Sequence, residues 1–115
     1  VGSAMCIRAS HTTIRDCKGD YVIFSMSKLR NVSFNQCFLR GGGLDNCQFT
    51  NVEFEHCNLV EAELHRTSLK GIDLTSSEIA GIRIGSIPGG ELKGATVTSL
   101  QALDIARMLG ITIKD

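Results

Sequence analysis

Five cysteines, three histidines, a glycine triplet and twelve carboxylates are the residues of this 115-residue chain that could do chemistry. Cys6, Cys17, Cys37, Cys47 and Cys57 could pair as disulfides, bind a soft metal or act as nucleophiles. Their odd number, in a chain whose amino end lacks the layout of a signal peptide, argues against a disulfide framework. His11, His56 and His65 lack the spacing of a metal-ligand set. Gly41-Gly42-Gly43 could cradle a phosphate, but no Lys-Ser/Thr pair and no strand-to-helix passage follows it. No Ser, His and Asp grouping marks an activated nucleophile. The expectation is a protein with no catalytic, cofactor or metal residues, which is not an enzyme and acts through its surface.

An internal repeat decides which elements carry these side chains. Stepping by five from Ile14 to Ile84 meets fifteen residues, and all but Gly19 are Ile, Leu or Phe. The register two residues earlier, from Thr12 through Cys17, Val22 and Ser27 to Ile82, holds only small or β-branched residues and no charge. Neither a helical period of 3.6 nor a strand period of two gives an unbroken repeat of five, so a solenoid remains. Cys17, Cys37 and Cys57, twenty residues apart and followed by Ser77, are expected to stand in one inward ladder. Side chains stacked at the strand spacing of about 4.8 Å are poorly placed for a disulfide, and reduced, buried thiols are expected. In the same frame Gly42 fills a small inward position at a tight corner.

Units such as Cys57-Asn58-Leu59, Ala62-Glu63-Leu64 and Ile72-Asp73-Leu74 resemble the pentapeptide-repeat family over roughly residues 12–97. The resemblance implies an all-β fold, a right-handed quadrilateral parallel β-helix with four units per coil. Four inward columns follow: Ile14, Phe34, Phe54, Leu74; Gly19, Leu39, Leu59, Ile79; Phe24, Leu44, Leu64, Ile84; and Leu29, Phe49, Leu69. Residues 1–11 are expected to form an irregular segment, or to be foreign to the protein in part, since Val1-Gly2-Ser3-Ala4 precedes Met5.

The phase breaks at Ile84 and resumes three residues late at Ile87, Leu92 and Val97, across Pro88-Gly89-Gly90. Thr98 with Gln101 fits a capping box and Gly110 a helix end, which predicts a capping α-helix over residues 99–109 within a carboxyl-terminal module, 98–115. Gln101, Asp104 and Arg107 form one polar stripe, and most of the remaining circumference is apolar, as in a buried helix. A homodimer interface is expected at Leu100, Leu103, Ala106, Met108, Leu109, Ile111 and Ile113, with Ile111-Thr112-Ile113 adding a short strand. Glu91 through Val97, Gln101-Ala102-Leu103 and Leu109-Gly110-Ile111 are similar to the carboxyl-terminal module of quinolone-resistance pentapeptide-repeat proteins. That resemblance implies a twofold dimer that binds DNA gyrase or topoisomerase IV by imitating duplex DNA.

Formal net charge is zero, with twelve basic and twelve acidic residues. This speaks against a polybasic binder of nucleic acid, and the absence of Trp speaks against a stacking platform. No apolar run approaches the ~20 residues that span a bilayer. No direct nucleic-acid or membrane partner is expected, and the cytoplasm is the expected location. Charge is unevenly spread: residues 1–40 carry +4, residues 41–65 carry −5 and residues 66–115 carry +1. Asp45, Glu53, Glu55, Glu61, Glu63 and Asp73 are the candidate acidic surface for a partner. Tyr21, Phe38 and Val60 form a candidate apolar one, which would serve a structural or scaffold protein equally well.

Overall fold

The computed structural model describes residues 6–85 and 90–114, which form an elongated body of 45 × 24 × 24 Å. Among the described residues three strands, β1 (Cys6–Arg15), β2 (Lys28–Asn35) and β3 (Gln48–Glu55), lie parallel in the order β1-β2-β3, and one helix, α1 (Ser99–Met108), packs at the carboxyl end. Lys28 pairs with Gln48 and Phe34 with Phe54, an offset of twenty residues. The same offset recurs in isolated bridges from Lys18 to Phe38, Asn58 and Glu78, and from Ile23 to Gly43, Glu63 and Arg83. Twenty residues therefore make one turn of a β-helix, and each turn hydrogen-bonds to the next.

The expected inward columns form the core. Phe34, Phe54, Leu74, Leu39, Leu59, Ile79, Leu44, Leu64, Leu29 and Leu69 are all buried, and Ile14, Phe24, Phe49 and Ile84 pack against them half-buried. Each large side chain buried in this way stabilises the fold by about 1.5–3 kcal/mol. Phe34 and Phe54 stack with ring centroids 5.1 Å apart and planes within 6° of parallel, as identical positions in successive coils must.

The small position two residues before each column residue has its own chemistry. The Cys37 thiol donates to the carbonyl of Ile14 (3.3 Å), that of Cys47 to Phe24 (3.2 Å) and that of Cys57 to Phe34 (3.4 Å), always to the preceding coil. Ser77 and Thr67 do the same toward Phe54 and Leu44, while their hydroxyls accept from the backbone N–H of Cys57 and Cys47. Cys, Ser and Thr suit these sites because each is small enough to point inward and can satisfy a buried carbonyl.

Corners are built from left-handed backbone. φ is positive at every fifth residue from Asp16 to Gly71, and most of these positions hold ordinary side chains such as Tyr21, Met26 and Glu61. At Gly41, φ is +64° and the Tyr21 ring lies 2.5 Å from where a β-carbon would stand, so glycine relieves the backbone strain that other corners bear and leaves room for the ring.

The amino-terminal expectation is corrected. Residues from Cys6 onward are strand, not irregular chain, and Ile7 stands opposite Leu29. The offset to β2 is twenty-two residues at Arg8 and twenty at Thr12, so two extra residues in the corner between them throw the strict count of five out of phase. At the other end, the shift of three is seen directly, since Asp73 bridges Thr96. Ile87 and the Pro88-Gly89 turn lie outside the described residues, as do Val1–Ala4.

Candidate functional site

The carboxyl-terminal module is built on a complete capping box. Thr98 Oγ1 accepts from the Gln101 N–H at 3.0 Å, and Gln101 Oε1 accepts from the Thr98 N–H at 2.8 Å. Gln101 then does more than its place in a polar stripe suggests. Its Nε2 donates to the carbonyls of Leu74 (2.7 Å) and Ser77 (2.8 Å), tying the helix to the last regular coil, so only Asp104 and Arg107 of that stripe face away, paired at 3.4 Å. Ile105 and Met108 pack on the core. No residue of the helix is fully buried.

Of the seven expected interface residues, Leu100 is 75% exposed and Leu109 and Ile111 are also exposed, whereas Leu103, Ala106, Met108 and Ile113 are half-buried. Beside them, Leu92, Ala95, Val97, Ala102, Ile105 and Leu109 line an apolar groove of about 230 Å³ between helix and coil. Among the described residues, Ile111, Thr112 and Ile113 pair with no strand.

Sequence reasoning missed the residue that fixes this module. Glu91 occupies a position that the repeat assigns to the outside, yet it is buried. Its Oε2 accepts from the N–H of Arg66 (3.0 Å) and of Gly85 (2.9 Å), while its own carbonyl accepts from the Leu69 N–H. Burial pushes the carboxyl pKa up, but the backbone N–H groups of Arg66, Gly85 and Glu91 itself, with the charge of His65, together hold it below its ordinary value. A β-carbon on Gly85 would come within 2.8 Å of the same oxygen, so the site needs glycine for space.

The six acidic candidates do not converge. Asp45 accepts from the Ser25 hydroxyl at 2.6 Å, which depresses its pKa against a smaller opposing effect of burial. Glu61 pairs with Arg40 at 3.2 Å. Glu63 lies in the ladder of Gly43 and Arg83, apart from the others. Only Glu53, Glu55 and Asp73 come together, lining with His56 and Ser76 a groove of about 490 Å³. The Thr75 hydroxyl and then its backbone N–H hold Asp73 ionised below the usual carboxylate range. Of the apolar candidates, Tyr21 and Phe38 are exposed and Val60 is half-buried.

Among the described residues no three His, Cys, Asp or Glu side chains are arranged to hold a metal, and no helix is long and apolar enough to cross a membrane. Burial raises the Cys57 thiol to about 11 and the Cys47 thiol above its ordinary value. Since the thiolate is the reactive form, Cys47 and Cys57 are expected to resist iodoacetamide at pH 8 until the chain is denatured, as is Cys37 because it is buried, with half-buried Cys17 reacting first of the four. Mass spectrometry of the alkylated protein reads the order. Rapid native labelling of Cys57 would contradict the inward ladder.

Stacked coils of twenty residues, lengthened only at the two ends, around one core define a repeat solenoid of the β-helix class. A family model of the pentapeptide repeat region matches residues 5–64, more than half of the chain, and the chain belongs to that family. Among solved structures, it is similar to a pentapeptide repeat protein of the Arabidopsis thaliana thylakoid lumen, with 20% identity and a TM-score of 0.52 over 88% of this chain and 70% of that one. The likeness is one of fold. Two trypsin-treated variants of QnrB1, a plasmid-mediated fluoroquinolone resistance protein, align over 97% and 96% of this chain and 97% and 95% of theirs. Their identities are 13% and 12% and their TM-scores 0.32 and 0.34, so neither alignment carries an argument. No curated protein matches the chain.

Proposed function

We propose that this chain is a non-catalytic protein-binding solenoid, wound as a right-handed quadrilateral coil and assembled into a homodimer through its carboxyl-terminal module. The exposed apolar surface at Leu100, Leu109 and Ile111, beside an apolar groove, carries the reading. A helix that has docked Ile105 and Met108 on its own coil and still offers Leu100 to solvent has surface left for a second chain. Replacing Leu100 and Leu109 with Glu is expected to halve the mass measured by light scattering without loss of β-structure in circular dichroism. A wild-type chain that is monomeric at tens of micromolar would overturn the dimer.

The narrower form of the proposal makes the partner DNA gyrase or topoisomerase IV, with the solenoid imitating DNA and protecting the enzyme from quinolones in the cytoplasm. Glu53, Glu55 and Asp73 support it, because they place three carboxylates within one coil step. That step is about 4.8 Å, and duplex DNA carries about one charge per 1.7 Å. A gyrase supercoiling assay with a fluoroquinolone tests it: rescue by the wild-type protein and not by Glu53→Gln with Glu55→Gln and Asp73→Asn is the expected result. No effect at any concentration would leave a structural or scaffold protein, for which the exposed Tyr21 and Phe38 are the surface.

A further inference from the structure

Between β3 and residues 68–75 of the next coil the backbone ladder is interrupted. Elsewhere the pattern is regular: the Leu44 N–H donates to the Glu63 carbonyl and the Glu63 N–H to Gly42, then Leu64 to Arg83 and Arg83 to Ala62. The equivalent bonds here would run from the Phe54 N–H to the Asp73 carbonyl and from the Asp73 N–H to Val52. Neither is made. Among the described residues no backbone hydrogen bond joins 48–55 to 68–75, although β3 pairs with β2 from Gln48 to Glu55. The cause is a mismatch of shape. β3 continues as strand through Asn51, whereas the next coil turns tightly at Lys70-Gly71, with the Ile72 N–H bonded back to the Leu69 carbonyl at 3.0 Å.

The result is an open slot in the wall of the coil. Nothing lies within 4 Å of where a β-carbon of Gly71 would stand, whereas at the left-handed corners Gly41, Gly81 and Gly94 that place lies against Tyr21, Glu61 and Lys70 of the preceding coil. Phe49 is only half-buried, although its column neighbours Leu29 and Leu69 are 0% and 1% exposed. The acidic groove at Glu53, Glu55 and Asp73 is one half of the slot, about 490 Å³. A second groove of about 290 Å³, beside Phe49, Asn51 and Lys70, continues it, and the two share Val52, Glu53 and Gly71. At the ends of the slot the coils rejoin, where the Cys47 N–H donates to Thr67 Oγ1 and the His56 N–H to Ser76 Oγ, each at 3.0 Å.

An unpaired strand edge is a template for another chain, and an extended peptide added to it gains main-chain hydrogen bonds. Here the edge lies in a slot lined by three carboxylates and one lysine, Lys70, with His56 at the far end. The charge selects a basic occupant and repels a nucleic acid. We infer that β3 accepts an extended, basic segment of a partner protein as an added strand, its backbone paired with the open edge of β3 and its cations set against Glu53, Glu55 and Asp73. The inference rests on the reading of the chain as a protein-binding solenoid, though not on the dimer. It gives the acidic groove a mode of binding, backbone pairing, that imitation of DNA does not need.

Hydrogen exchange of the free chain, read by NMR, tests the open edge without any partner. The Phe49 and Phe54 amides are expected to exchange at least tenfold faster than those of Leu39 and Leu44. An alternating Lys-Thr dodecapeptide, followed by fluorescence anisotropy, tests the occupant, and its binding is expected to slow exchange at Phe49 and Phe54. Two versions of the peptide, N-methylated on every Lys or on every Thr, separate backbone pairing from charge, and at least one is expected to bind tenfold more weakly. Glu53→Gln with Asp73→Asn is expected to weaken binding at least fivefold. Glu63→Gln with Glu78→Gln makes the same change of charge on other sides and is expected to stay within twofold of wild type. Circular dichroism establishes that both variants fold, and light scattering reads the dimer separately. Slow exchange at Phe49 and Phe54 in the free chain, no binding, parent-like binding of both methylated peptides, or equal weakening in the two variants would each overturn the proposal. So would protection of those amides that rises with protein concentration alone, since the occupant would then be a second copy.

Discussion

Replacing Phe34 with alanine is expected to lower the unfolding free energy by about 3–5 kcal/mol, the range for deleting a buried aromatic side chain. Phe34 is 1% exposed, stacks on Phe54 at 5.1 Å and meets the edge of Phe24 at 6.2 Å. Its loss opens a cavity in mid-column and removes two aromatic contacts, each worth about 0.5–1.5 kcal/mol beyond burial. A domain of this size is stable by only about 5–15 kcal/mol, so the variant stands near the edge of folding. Phe34→Leu keeps most of the volume and is expected to cost less than about 1.5 kcal/mol. Because coils couple mainly to their neighbours, the defect also separates the first coils from the rest. Hydrogen exchange should show β1 losing protection before β3. Denaturant titration of the two variants gives the magnitudes, and a Phe34→Ala cost within the surface-substitution range of about 0.5 kcal/mol would contradict the column.

Phe34 and Phe54 could be assigned to one column from spacing alone, because a period of five with a strict inward residue leaves no other way to bury both. Much of the rest was hidden for physical reasons. Tyr21, Met26, Glu61 and Arg66 have side chains that disfavour left-handed backbone, at about 1–3 kcal/mol each, and coil closure overrides that preference. Local propensity therefore marks the corners only in part, at Asp16, Asn31, Gly41, Asn46, Asn51 and Gly71. Ile7 was overlooked because two added residues in one corner displace it from a strict count of five, although the strand pairing places it opposite Leu29. Gln101 reads as a surface residue from its helical spacing, and its bonds to the Leu74 and Ser77 carbonyls depend on how the helix meets the coil. The candidate interface residues were legible as apolar excess, while their division into packed Met108 and exposed Leu100 was not.

Glu91 was the least legible of all, and its replacement carries the second large effect. Glu91→Ala leaves the part-buried N–H groups of Arg66 and Gly85 without their acceptor. An orphaned buried donor costs about 1–3 kcal/mol, and water reaches part of this site, so a loss of about 2 kcal/mol is expected. Glu91→Gln keeps a carbonyl oxygen for both donors and should cost about 1 kcal/mol, the difference between charge-assisted and neutral hydrogen bonds. The two variants also differ from wild type in their response to acid. Glu91 has a folded pKa below its unfolded value, so its contribution is fully present above about pH 4.5, the unfolded value, and is lost as pH falls through the folded one. Asp45 and Asp73 are depressed in the same direction and add their own acid sensitivity, and for that reason the informative quantity is wild type minus Glu91→Gln. That difference is expected to be flat from pH 7 to 5 and to shrink below pH 4.5. Urea titrations across that range would read it. A difference that stays constant down to pH 2.5 would mean that the carboxylate does not hold the Arg66 and Gly85 backbone, and that the phase shift before the helix is fixed by packing of Leu92 and Val97 alone.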